Sequence, residues 1–199
     1  EMPLTLEDLV MMQPPTPDRP LLGTIVLVVE DSRHACEALR LICQRSGARI
    51  RRAATVAAAK RHLSTYRPRL AVIDLGLPDG SGLELIAQLA SADPRIEGLI
   101  ATSGDDSLRA AALQAGADTF LPKPLASVVQ FQQVALALLN SEIVPRPTEV
   151  KDGDRVTPDA IALRDDLSLA ADLLRNKADG ATFDYVSAFL SGIAAHRTL

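Results

Sequence analysis

The chain has 199 residues, 47% of them apolar, with a net charge of −4; this excludes wholesale disorder and argues against a large phosphate-backbone footprint. Aromatic residues are only 3% and Trp is absent, so the core must be aliphatic. No apolar run reaches the length of a membrane span, and the start EMPLTLEDLVMMQPP is acidic where a secretory signal is basic.

In chain order, TLEDLVMM predicts a short helix with Thr5 as N-cap, and QPPTPDRP reads as a linker. TIVLVV (24–29) is a continuous β-branched run, the mark of a strand covered on both faces. A helix follows over 33–45, stopped by Gly47. Cys36 and Cys43 lie on it seven residues apart, about 10 Å along the axis and too far for a disulfide. Two unbridged cysteines fit a reducing cytoplasm, and buried packing is the expected role of both.

RIRRA is a charged second strand suited to a sheet edge, and a helix is expected over 55–65. Arg45, Arg49, Arg51 and Arg52, with Lys60, Arg61 and His62, form a basic cluster read as a solvated face; no direct nucleic-acid binding is expected. LAVIDL, GLIATS and TFLP are strands three to five. The helices after them cover GLELIAQLA, 106–115 and 125–140. Five βα units with short crossovers predict an α/β fold, a five-stranded parallel doubly wound sheet over residues 21–140.

Residues 1–20 are read as an N-terminal segment and linker, and 141–158 as a second linker. Residues 159–199 form a helical hairpin. Thr157-Pro158 makes a good helix start. Ala160, Leu163, Leu167, Ala170 and Leu174 form one apolar stripe, and Phe183, Val186, Leu190 and Ile193 another beyond Gly180. A two-helix unit is too small to hold a core alone. A second copy of the hairpin is the expected partner, giving a homodimer, with docking on the chain's own α/β unit as the rival.

Ligands of doubly wound sheets bind outside the carboxyl ends of the strands. Glu30 and Asp31 follow strand one, Asp74 ends strand three, Thr102 and Ser103 end strand four, and Lys123-Pro124 follows strand five. Clustered carboxylates suit Mg²⁺, and Mg²⁺ with a Lys ammonium can neutralise a phosphoryl group. A central carboxylate, Asp74, can serve as the nucleophile. Each residue also has a bland role: Glu30 and Asp31 could cap the first helix, Lys123 could lie at the surface, and Phe120 could simply pack in the core. Ser103 replaces Thr102 if the register is off by one. His34, His62 and His196 have no partners at useful spacing and are assigned no chemistry.

In VLVVED, AVIDLGLPDGSG, IATSGDD and AGADTFLPKP, residues 21–140 resemble a response-regulator receiver domain of two-component signalling. The resemblance implies the flavodoxin-like strand order 2-1-3-4-5 and a phosphorelay partner, either a sensor histidine kinase or a histidine phosphotransfer protein. It implies phosphorylation at Asp74. Mg²⁺ would be held by Asp31, Asp74 and the carbonyl of Gly76, with Glu30 acting through water. Lys123 and Thr102 would contact the phosphoryl group, Phe120 would hold the aromatic switch position, and Lys123-Pro124 would be a cis peptide. The protein is then a signalling switch rather than a turnover enzyme. The alternatives are a phosphorylation-independent scaffold and a phosphatase of haloacid dehalogenase type. The second is disfavoured because Gly76 stands where that family has a second aspartate.

Overall fold

The aliphatic runs become the central strands. The computed structural model describes residues 14–125, 127–146, 160–176 and 180–197. Strands β1 (Ile25–Val29), β2 (Arg49–Ala53), β3 (Leu70–Asp74), β4 (Gly98–Ser103) and β5 (Thr119–Pro122) form one parallel sheet in the order β2-β1-β3-β4-β5. Helices α1 (Arg33–Ser46), α2 (Val56–Thr65), α3 (Gly82–Ala90), α4 (Arg109–Ala115) and α5 (Val128–Leu138) cover both faces. The hairpin is α6 (Ala160–Asn176) and α7 (Gly180–Arg197). The proposed helix at 5–12 and the Thr157-Pro158 cap lie outside the described residues.

Alternate residues of each strand enter opposite layers, as the two-residue period of a strand requires. Val26, Val28, Leu70, Val72 and Ile100 pack with Leu39 and Ile42 of α1 and Phe131 of α5. Leu27, Val29, Ala71, Ile73, Leu99 and Phe120 pack with Leu85 and Ile86 of α3 and Ala112 of α4. Cys36 and Cys43 are free and buried in the first layer, where burial pushes their thiols up to about 11 and about 12.

Two helices differ from expectation at their starts. The stretch expected as one helix over 106–115 opens with a 3₁₀ turn, Asp106–Leu108, because Asp105 accepts a hydrogen bond from the Ser107 amide at 2.9 Å. The fifth helix begins at Val128 rather than near 125, where Ser127 caps it by accepting from the Gln130 amide at 3.1 Å.

The hairpin lies on the chain's own α/β domain, the rival of the second copy. Asp166 of α6 is 1% exposed against the start of α1. Ala170, Val186, Phe189 and Ile193 form a small core of their own. The apolar stripes therefore find their cover within the chain at Ala170, Val186 and Ile193, while Leu167, Leu174 and Phe183 stay exposed.

The loop after β3 is held close to the sheet. Gly82, the first residue of α3, has room only for a hydrogen: a Cβ there would stand 2.2 Å from the Asp74 carbonyl oxygen and 2.7 Å from Leu75 Cα. Gly82→Ala should lower the unfolding free energy by about 2–3 kcal/mol through this backbone clash, outweighing a helix-propensity gain of at most about 1 kcal/mol. Urea unfolding of both proteins checks it, and an unchanged or raised midpoint contradicts the close approach.

Candidate functional site

β1 and β3 are neighbours, so the residues leaving their carboxyl ends meet. The Glu30 amide still bonds the Ala53 carbonyl at 2.9 Å, fixing the chain just beyond β1. Ser32 then caps α1, accepting from the Ala35 amide at 3.0 Å. Between strand and helix, Glu30 and Asp31 have no freedom to swing away. Asp74 pairs in register with Thr102 across β3 and β4. A two-stranded ribbon, Gly76–Leu77 with Gly80–Ser81, carries the loop after Asp74. Asp79 at its tip ties it to α2 by accepting from the Val56 and Ala57 amides at 2.7 and 3.0 Å.

These elements bring four predicted residues together. One carboxylate oxygen from each of Glu30, Asp31 and Asp74 lies within 4.8 Å of the other two. Lys123 reaches in from beyond β5, with Nζ 2.7 Å from Glu30 Oε2 and 3.3 Å from Asp74 Oδ1. Its amide donates to the Ser103 carbonyl at 2.9 Å, and its peptide bond to Pro124 is cis. All four side chains are buried.

The charge in this cluster does not balance. Burial is the main force raising the affinity of Asp74 for a proton, and Glu30 adds to it against the opposing pull of Lys123. The net result pushes Asp74 up to about 7. Glu30 and Asp31 are likewise raised, first by burial, then by a neighbouring carboxylate. Burial alone would lower the Lys123 ammonium, but Glu30 and Asp74 outweigh it and hold the group charged. One ammonium faces three carboxylates.

The oxygen-only donor set suits a hard divalent cation, whose ligands stand about 2.0–2.1 Å from it. Asp31 Oδ1 is buried and has no hydrogen-bond partner, so it points at an atom the protein does not supply. The residues therefore fit Mg²⁺. Thr102 Oγ1 is also buried without a partner, whereas Ser103 Oγ accepts from the Asp105 amide at 3.1 Å. Phe120 is 3% exposed, packed in the second core layer with the Arg109 guanidinium 4.7 Å from its ring centre. It does not line the acidic cavity.

Sequence reasoning did not reach two further residues. Tyr185 of α7 donates its phenolic hydrogen to Asp31 Oδ2, and burial with the Asp31 charge raises its own ionisation well above the usual range. Asp166 of α6 accepts from Ser32 Oγ at 2.8 Å, from the Arg33 amide at 2.8 Å and from the His34 amide at 2.9 Å. The basic cluster is a partly tied surface: Arg52 donates to the Asp31 carbonyl at 3.0 Å, and His62 Nε2 lies 3.1 Å from the Arg52 carbonyl.

A parallel sheet in this order with acidic residues and a lysine at its carboxyl edge defines a receiver-type signalling domain. The sequence model of the response regulator receiver domain matches residues 26–135, and the chain belongs to that family. It is 34% identical over 141 residues to the KDP operon transcriptional regulatory protein KdpE of Escherichia coli, covering 70% of this chain and 62% of that protein. It is 35% identical over 100 residues to the virulence transcriptional regulatory protein PhoP of Salmonella typhimurium, covering 50% of this chain and 45% of that one. The chain thus spans about half to three fifths of the length of these relatives. Both are named as transcriptional regulators, which speaks against the expectation that nucleic acid is not a partner. Among solved structures, the receiver domain of a signal transduction histidine kinase from Syntrophus aciditrophicus is 27% identical, with a TM-score of 0.54 over 64% of this chain and 96% of that one. The receiver domain of a Pseudomonas aeruginosa sensor histidine kinase, with a magnesium ion coordinated in its active-site cleft, shares the fold at 22% identity and a TM-score of 0.53, covering 59% of this chain and 98% of that one. No helix among the described residues is long and apolar enough to cross a membrane.

The raised Asp74 carboxyl makes stability depend on pH. An unfolded aspartate ionises near pH 4, the folded one near about 7. Between these values the folded state alone keeps the proton, so this stabilisation is full below about pH 4 and is lost as pH rises through about 7. Asp74→Asn should raise the unfolding free energy by about 1–3 kcal/mol at about pH 8 without Mg²⁺, with the gain vanishing near pH 4. Urea unfolding across that range decides it; a variant less stable than the wild type near pH 8 contradicts the charge imbalance.

Proposed function

We propose that this receiver domain accepts a phosphoryl group on Asp74, with Mg²⁺, from the phosphohistidine of a sensor histidine kinase or histidine phosphotransfer protein. The observation that carries the reading is the buried set of Glu30, Asp31, Asp74 and Lys123. Asp74 is the carboxylate in the central strand, flanked by a potential metal ligand on one side and by the ammonium on the other.

In the proposed step an Asp74 oxygen attacks phosphorus, the P–O bond forms and the P–N bond to imidazole breaks. The imidazole nitrogen leaves with the bonding electron pair. Lys123 neutralises a phosphoryl oxygen during the transfer, and its existing contact with Asp74 holds the nucleophile in place. Asp31, Asp74 and the Gly76 carbonyl would hold the cation, with Glu30 joining through water, and the cation would supply charge neutralisation. Two hydroxyls could donate to the phosphoryl group: that of Thr102, which has no partner, and that of Ser103, which lines the cavity and accepts from the Asp105 amide while keeping its own hydrogen free. Phe120 would then report the change through the face formed by α4, β5 and α5. The product is an acyl phosphate on the protein itself, which makes this a switch with a single stoichiometric event rather than a turnover enzyme. The two free, buried cysteines fit operation in a reducing cytoplasm.

Intact-mass measurement after treatment with acetyl phosphate and Mg²⁺ tests the reading. Wild type should gain the mass of one phosphoryl group, Asp74→Asn should gain none, and Lys123→Ala should react at least tenfold more slowly. Equal labelling of Asp74→Asn overturns the assignment.

A further inference from the structure

The hairpin does more than cover its own stripe: it reaches the acidic cluster. Tyr185 occupies Asp31 Oδ2, one of the two oxygens through which that residue could hold a cation. One helical turn on, Phe189 is 8% exposed, and Ile193 beyond it is 4% exposed. Both line the cavity bounded below by Glu30, Asp31, Asp74 and Lys123. That cavity measures 40 Å³. A water needs about 10–15 Å³ on this measure, so the space takes a cation and its nearest waters but not the approaching phosphodonor as well.

The hairpin is fastened a single residue away from that tyrosine's target. The Asp166 carboxylate receives the Ser32 hydroxyl and the amides of Arg33 and His34, at 2.8, 2.8 and 2.9 Å. It sits at the positive end of α1, where a carboxylate is stabilised by the helix dipole and by amides lacking helical partners. Ser32 keeps its own bond to the Ala35 amide at 3.0 Å, so α1 stays capped if α6 leaves. The anchor is thus separable from the receiver fold.

We propose that the α6–α7 hairpin is an internal lid on the phosphoacceptor site, anchored by Asp166 and closed by Tyr185 on Asp31. Entry of the phosphodonor requires it to lift. The proposal rests on the phosphoacceptor reading given above. The phenol on Asp31 Oδ2 draws on the same negative charge that a cation at Oδ1 would balance, so lid closure weakens cation binding. By reciprocity, the cation and the phosphoryl group weaken lid closure by the same factor. A hairpin that merely buried its own apolar stripe would place no polar group on a site carboxylate and would be indifferent to Mg²⁺.

Calorimetric Mg²⁺ titration of the full chain tests this, with hydrogen exchange over 160–176 and 180–197 as a second readout. Tyr185→Phe keeps the ring packing and removes only the hydroxyl; it should bind Mg²⁺ about tenfold more tightly than wild type, the factor carried by one hydrogen bond to a charged group. Asp166→Asn should also bind more tightly. Beryllofluoride with Mg²⁺ should lower protection of the hairpin in the wild type. Equal Mg²⁺ affinity in all three proteins, with hairpin protection unmoved by beryllofluoride, overturns the lid. Absence of Mg²⁺ binding in all three overturns the metal-assisted phosphoacceptor reading itself, and the lid with it.

Discussion

Lys123 holds the site together. Its ammonium lies 2.7 Å from Glu30 and 3.3 Å from Asp74, buried with both. Burying any one of these charges alone would be prohibitive. Grouped, they are tolerable but incompletely neutralised, since Asp31 adds a third carboxylate. The strand order makes the grouping unavoidable. β1 and β3 run side by side, so Glu30, Asp31 and Asp74 must converge, and β5 sits close enough for a lysine after it to reach them. Much of the rest of the site serves this arrangement: the Ser32 cap, the Asp79 ties that fix the following loop, and the hydrogen-only space at Gly82.

The residual negative charge explains both the raised carboxyl of Asp74 and the unusual position of Tyr185. A buried carboxylate oxygen without a donor is costly, and the chain offers two remedies. One is a phenolic hydrogen, seen on Asp31 Oδ2. The other is a cation, toward which the unpartnered Asp31 Oδ1 points. A phenol donor is neutral and relieves only part of the repulsion, so it stabilises a resting state without abolishing the pull on a divalent ion. That difference in strength is what a two-state device needs: a closed form good enough to dominate, and a ligand able to outcompete it.

The receiver part of the chain was legible because its signals are local. The β-branched run at 25–29, Gly47 past the first helix and the acid ending AVID each declare themselves within a few residues. Parallel strands then force the distant acids together, so the cluster followed from the fold. Helix starts were less legible: Asp105 and Ser127 shift them by their own capping bonds, and such caps compete over short distances in a way that apolar periodicity does not register. Asp166 and Tyr185 were not legible at all. Asp166 stands three residues after Leu163 and four before Ala170, beside the apolar stripe, where periodicity gives no sign of a partner for a carboxylate, and its three donors lie more than 130 residues away in sequence. The stripe of α7 announced that it needed cover, but nothing in its periodicity distinguished a second copy from the chain's own receiver.

Three buried carboxylates against one ammonium leave a negative charge that a divalent cation would balance. The most direct measurement is equilibrium unfolding of the wild type and of Asp31→Asn as Mg²⁺ is raised, in the absence of any phosphodonor. A cation that binds only the folded cluster should stabilise the wild type by roughly 1–3 kcal/mol as Mg²⁺ passes from a few times to a hundred times its dissociation constant. The Asp31→Asn curve should stay flat. A wild-type unfolding midpoint that does not move with Mg²⁺, or one that moves equally in Asp31→Asn, would contradict the account.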